Sequence, residues 1–135
     1  MRALIEYYDK LSESYDELYG EEQSVKYLKS LAFIEGERVL DVGCGTGLGL
    51  PYLGGRYVLC LDISLGMLKR AMARGGDLAD FLVADAYRPP LRAKAFDAAL
   101  AITVFEDLAD AGRLLEYADV AVAESLGRWA VLRRG

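Results

Sequence analysis

Val39-Leu40-Asp41-Val42-Gly43-Cys44-Gly45-Thr46-Gly47 decides how this chain folds: a short apolar run, Arg38 to Val42, stops at three glycines in alternate positions. Glycine accepts positive φ and lets the backbone turn sharply and approach a ligand without a side chain in the way. A simple tight turn would also use glycine, so the spacing has to be read. Position 48 is Leu where a G-x-G-x-x-G pattern from Gly43 requires glycine, position 50 is Leu for a pattern from Gly45, and no Gly-Lys-Ser/Thr follows. Neither the dinucleotide fingerprint nor the triphosphate loop is present.

Working outward, the apolar run Tyr57 to Leu61 stops at Asp62, Phe81 to Ala84 stops at Asp85, and Phe96 to Ile102 makes a fourth run. Ser64 is placed to cap a helix carrying Leu65, Leu68, Ala71 and Met72 and ended by Gly75-Gly76. Only Leu48 to Leu53 can be helical in the first crossover, with Pro51 near its start, and Pro89-Pro90 forces a loop. Residues 108 to 126 carry Leu114, Leu115, Ala118, Val122 and Leu126 at helical spacing, and Gly127 precedes a fifth strand, Trp129 to Leu132. At the front, Leu4, Tyr8, Leu11, Tyr15 and Leu18 form one helical stripe ended by Gly20. A second helix over Glu21 to Leu31 points Val25, Leu28 and Leu31 or Ala32 inward.

Strands without polar alternation, separated by helical crossovers, imply a parallel sheet covered on both faces. The expected fold is therefore α/β: a three-layer, doubly wound, Rossmann-like sheet of about five strands, mostly or wholly parallel, preceded by helices. In such sheets ligands sit beyond the carboxyl ends of the strands, here Gly43 to Gly47, Asp62, Asp85 and Thr103 to Asp107.

The chain has 135 residues, 53% hydrophobic and 27% charged, which predicts one domain over 1–135, with a helical part at 1–35 and an α/β core at 36–135. No apolar run approaches the roughly 18 residues of a membrane helix. The net charge of -5 opposes broad attraction to phosphate backbones. The absence of histidine removes Ser/His and Cys/His nucleophilic arrangements and the commonest metal ligand, and no metal site is expected. Cys44 and Cys60 are too few for a disulfide framework, and neither has a histidine or adjacent lysine to activate it. They read as packing residues of a protein in a reducing cytoplasm, with no signal peptide at its start.

The run from Val39 to Gly47 resembles the cofactor signature of class I S-adenosylmethionine-dependent methyltransferases. Leu61-Asp62-Ile63-Ser64 with Met67-Leu68 and Ala71, then Asp85-Ala86, then Phe96-Asp97-Ala98-Ala99-Leu100, are similar to that family's later motifs. Tyr7-Tyr8-Asp9 and Tyr15-Asp16 are similar to the N-terminal helix of its ubiquinone/menaquinone-biosynthesis-like branch, so the likeness runs from about Tyr7 to about Leu132. The resemblance implies that S-adenosylmethionine is the cofactor and S-adenosylhomocysteine the product. It implies that Gly43, Cys44, Gly45 and Gly47 run against the methionine part, with Asp41 accepting from the ammonium directly or through water. Asp62 would accept from both ribose hydroxyls, Ile63 would pack on the adenine, and Asp85, with the backbone of Ala86, would accept from the adenine amine. Thr103 and a lid tyrosine, Tyr15, complete the implied cofactor contacts. Asp62 and Asp85 taken singly would equally serve as caps of the segments that follow them.

Methyl transfer from a sulfonium needs alignment more than proton chemistry, so the missing histidine is compatible with it. The catalytic residues are not identified by the sequence; Glu106 and Asp107 are the candidates for orienting or deprotonating an acceptor, and both also suit the dipole of a helix start. A small molecule is the expected acceptor, since the Pro-Pro motif of the base-amine branch is absent from Thr103 to Asp107. The family commonly has two more strands beyond the fifth, apparently lacking here, which would leave Trp129 to Leu132 as a sheet edge suited to a homodimer. Two functions satisfy these residues: a small-molecule methyltransferase, or an S-adenosylmethionine-binding module or accessory subunit without catalysis of its own.

Overall fold

The computed structural model describes residues 1–135. Two helices, α1 (Arg2–Leu11) and α2 (Tyr15–Ser30), precede the strands β1 (Arg38–Val42) and β2 (Tyr57–Asp62). After them come α3 (Leu65–Gly75), β3 (Asp80–Val83), β4 (Phe96–Ile102), β5 (Ala118–Ser125) and β6 (Arg128–Arg133). Short 3-10 segments occupy Leu31–Phe33, Leu50–Leu53 and Leu108–Glu116. The six strands form one sheet in the order β3-β2-β1-β4-β5-β6, parallel throughout except that β6 runs antiparallel to β5.

Both faces of the sheet are covered, which explains the uninterrupted apolar strands. Leu40, Val42, Leu59, Leu61, Ala99 and Ala101 face one way, against Phe105, Ala111 and Leu114 of the segment after β4. Val39, Val58, Ala98, Leu100, Val120 and Val122 face the other, against Tyr27, Ile34, Leu50 and Leu53. Ser64 caps α3 as the sequence predicts, its Oγ accepting from the Met67 N–H at 3.1 Å.

Three expectations are corrected. Residues 118–125 are strand β5, not the second half of a helix. Their alternate valines, Val120 and Val122, are β-branched and pack between β4 and the helical layer, and this pairing overrides a spacing that also fits a helix. Trp129 to Leu132 therefore lies in a sixth strand returning beside β5. At the front, the break between helices falls at Ser12 to Ser14 rather than Gly20. The stripe expected to point inward is largely exposed: α1 buries no residue, and α2 buries Gln23, Tyr27 and Ser30 instead of Val25 and Leu28.

The cysteines are also corrected. Cys44 of the glycine turn and Cys60 of β2 are joined as a disulfide, with Cα atoms 5.5 Å apart, packed on Leu68 and Ala71 of α3. Adjacent parallel strands bring the two together, a juxtaposition that the bare cysteine count does not reveal, so that count carries no argument about compartment. A closed loop of this span restricts the unfolded chain by about 3 kcal/mol. Chemical denaturation with and without a thiol reductant is expected to differ by about that amount, and Cys60→Ser is expected to remove the difference.

Candidate functional site

β1 ends in a loop whose first three glycines lie in the left-handed region, Gly43 at φ 65°, Gly45 at 59° and Gly47 at 81°. Each does different work. A Cβ on Gly43 would meet Val104 Cγ2 at 2.4 Å, and one on Gly47 would meet Ala71 Cα at 3.0 Å, so these two permit close packing. A Cβ on Gly45 would find nothing nearer than the Tyr15 ring at 4.0 Å. That open side borders a cavity of about 580 Å³ at the carboxyl ends of the strands.

Eight of the residues singled out from the sequence line this cavity: Tyr15, Gly43, Gly45, Asp62, Ile63, Asp85, Ala86 and Thr103. Asp62 organises its floor, with Oδ2 accepting from Gly45 N–H and Oδ1 from Ser64 N–H, each at 2.9 Å. Burial pushes the Asp62 carboxyl above its ordinary pKa, against the pull of those backbone donors. Asp85 accepts from Tyr87 N–H at 2.9 Å through Oδ1. The capping roles that the sequence leaves open are thus occupied, and both carboxylates still border the cavity.

The other five do not line it. Cys44 is turned into the disulfide and Gly47 into α3. Asp41 is wholly buried beside Tyr27, whose Oη donates to Oδ1 at 2.9 Å, while Oδ2 has no partner. Direct contact between Asp41 and a ligand in the cavity is therefore not built. Burial raises the Asp41 pKa to about 7, with the Asp62 charge adding to the effect and the Tyr27 hydroxyl opposing it. Glu106 and Asp107 are also outside: Asp107 caps the Leu108–Glu116 segment, accepting from Ala109 N–H at 3.0 Å, and Glu106 is exposed. The stabilising role of an acid at a helical start is the one realised for Asp107.

Thr103, expected from the sequence, is held by two residues that have no clear signal there, Glu124 and Lys26. Thr103, at the end of β4, adopts φ 57°, a genuine outlier for a β-branched residue and a mark of local strain at the cavity wall. Its hydroxyl donates to Glu124 Oε1 at 2.6 Å, and its N–H donates to the Glu124 carbonyl at 2.9 Å. Glu124, fully buried in β5, also accepts from Gly127 N–H at 2.7 Å and pairs with Lys26 of α2 at 2.9 Å. Burial raises the Glu124 pKa, but the donors from Thr103, Lys26 and Gly127 outweigh it and hold the group ionised. Glu124 is invisible to a reading that places it on a helix.

The N-terminal helices are roped over the site by polar contacts. Asp9 of α1 accepts from Ser64 Oγ at 2.5 Å and from Gly66 N–H at 2.9 Å. Asp16 binds both Thr46 and Arg74, and Lys26 reaches Glu124. Tyr8 and Tyr15 consequently border the cavity.

Residues 40–122 match the family model described as the methyltransferase domain. The chain belongs to the S-adenosylmethionine-dependent methyltransferase family. Within it, the ubiquinone/menaquinone-like branch is indicated by demethylmenaquinone methyltransferase of Renibacterium salmoninarum, 46% identical over 67 residues. Malonyl-[acyl-carrier protein] O-methyltransferase of Geobacter sulfurreducens is 36% identical over 104 residues. The matched regions take in 48% and 70% of this chain but only 28% and 39% of those relatives. A crystal structure of an S-adenosylmethionine-dependent methyltransferase from Aquifex aeolicus shares the fold at a TM-score of 0.58 and 24% identity, over 74% of this chain and 61% of that one. The family's cofactor is S-adenosylmethionine, and the cavity fits it. Gly45 leaves its side of the loop open, and Asp62 and Asp85 offer acceptors for hydroxyl and amine donors.

The raised pKa of Asp41 gives a stability prediction with a definite sign. Between the ordinary carboxyl value of 3.8 and about 7, the folded protein holds a proton that the unfolded chain has released. Stability from this group is complete below that window and is lost as pH rises through it. Asp41→Asn is expected to match the parent near pH 4 and exceed it by up to a few kcal/mol at pH 8, measured by denaturant unfolding of the ligand-free proteins.

Proposed function

We propose that this chain binds S-adenosylmethionine in the cavity at the ends of β1, β2 and β3 and transfers its methyl group to a small-molecule acceptor. The observation that carries the reading is the junction of Gly45 and Asp62, which places an open glycine turn and a carboxylate side by side on one ligand surface. When bound, the cofactor supplies a methyl carbon on a sulfonium; the acceptor's lone pair forms the new bond while the old carbon–sulfur pair stays on sulfur as a neutral thioether.

The chain's own residues bind, align and enclose. Asp62 accepts from the ribose hydroxyls while its two backbone donors keep the carboxylate fixed. Ile63 lies along the adenine, and Asp85 with Ala86 borders the amine. Thr103 and Val104 wall the side from which an acceptor approaches, and Tyr8 and Tyr15 exclude water from above. Alignment of this kind lowers a barrier by roughly 7 to 11 kcal/mol without a general base. A small acceptor is favoured over nucleic acid by the net charge of -5, and demethylmenaquinone, named in one relative above, is of that class.

A second reading, a cofactor-binding module without catalysis, is favoured by one observation: Glu106 and Asp107, the candidates for handling an acceptor proton, are not among the residues that line the cavity. Labelled S-adenosylmethionine incubated with a metabolite extract separates the readings, because only an enzyme accumulates S-adenosylhomocysteine under turnover.

Calorimetry is expected to show S-adenosylhomocysteine binding and no NAD binding. Asp62→Ala is expected to weaken the former by roughly 1.5 to 3 kcal/mol. Because the Asp62 pKa is raised and the ionised form is the better acceptor, affinity is expected to fall as pH drops from neutrality toward the acid range. Unchanged affinity in the variant rejects the ribose assignment. We further propose that two copies associate through the outer edge of β6, which pairs only with β5; sedimentation showing a concentration-independent monomer rejects it.

A further inference from the structure

Arg88 and Arg113 line the same cavity as the glycine turn, and neither has a carboxylate within ion-pair distance; the molecule's ion pairs use Lys26, Arg74 and Arg134. Arg88 comes from the loop between β3 and β4, Arg113 from the 3-10 segment after β4. The two segments are locked together: the Tyr87 ring meets Phe105 edge-on at 5.1 Å, and the Arg113 guanidinium lies 5.3 Å from the centre of the Tyr87 ring. Phe105 is buried, so this scaffold is fixed to the core. Both arginines are exposed, and Asp110 and Glu106 act on the same Tyr87 ring without forming an ion pair with either, so two guanidinium groups on one cavity wall keep their donors free for a bound anion.

The proton chemistry of the cavity points the same way. Its only carboxylates are Asp62 and Asp85, both assigned to the cofactor. The phenols that border it, Tyr8, Tyr15 and Tyr87, are held above their ordinary pKa first by burial and remain protonated near neutrality. An acceptor whose reacting atom is itself an ionised carboxylate or phosphate oxygen carries no proton to lose and needs no protein base.

Resting on the methyltransferase reading above, we propose that the acceptor carries a carboxylate or phosphate group seated between Arg88 and Arg113. In the cofactor placement proposed above the methionine part runs along Gly43 and Gly45, which leaves the arginines for a second molecule.

The test uses the full chain saturated with S-adenosylhomocysteine and titrated with malonate, inorganic phosphate and the neutral isostere malonamide. Malonate or phosphate is expected to bind and malonamide not to, the stronger of the two anions identifying the source of the charge. Arg88→Gln and Arg113→Gln are each expected to weaken the anion about tenfold or more, while Arg70→Gln, an exposed arginine of α3 outside the cavity, leaves it unchanged. S-adenosylhomocysteine affinity measured on each variant reports both its folding and its cofactor site, and is expected to stay at the parental value. Absence of anion binding to the loaded protein, or equal binding by the double variant, overturns the proposal. So does a parallel loss of S-adenosylhomocysteine affinity, which would assign the arginines to the cofactor. Failure of the parent to bind S-adenosylhomocysteine at all overturns the methyltransferase reading and this one with it.

Discussion

The carboxylate of Asp62 is the fastening on which the site depends. It stands at the end of β2 and accepts from the Gly45 amide of one turn and the Ser64 amide of another. The glycine loop after β1 and the start of α3 are thereby fixed to each other, and the cavity is the space that they leave. Because the chain satisfies the buried oxygens through backbone donors, the group remains beside the ligand surface without being consumed by a salt bridge. Its cost is a desolvated charge, visible in its raised pKa, and a ligand offering hydroxyl donors offsets that cost.

A second fastening lies on the opposite side of β1. Glu124, buried and ionised, receives donors from β4, from the β5–β6 turn and from α2. Replacing one partner of such a group leaves an uncompensated charge in the interior, which is far more damaging than the loss of a surface pair. It also holds Thr103 in a backbone conformation that threonine otherwise avoids. Strain at the cavity wall is thus sustained by a buried ion pair that never touches the ligand surface directly.

The layered sheet, the strands β1, β2 and β4, and the α3 cap were legible because their residues face the same environment along their whole length. Val39, Leu40 and Val42 are buried on both faces, and Ser64 caps through its own neighbours. The glycine turn and the acids after each strand were legible because their chemistry is local. What escaped depends on distant partners. Ala118 to Ser125 reads as helix from its spacing, and only the ladder with β4 makes it a strand. Glu124, Lys26 and Tyr27 acquire meaning only when three elements meet, and Cys44 finds Cys60 only across a parallel pair. The exposure of Leu4 and Leu18 has a similar origin: an amphipathic pattern states which face is apolar, not whether anything covers it.

That last point bears on how the site opens. α1 contributes no buried residue, and its hold on the core centres on the Asp9 carboxylate gripping the first turn of α3. Releasing it would exchange a pair of charge-assisted contacts at Ser64 and Gly66 for water, where releasing a buried helix would open the core. The covering over this cavity is thus fastened at its inner face by a carboxylate rather than built into the hydrophobic interior.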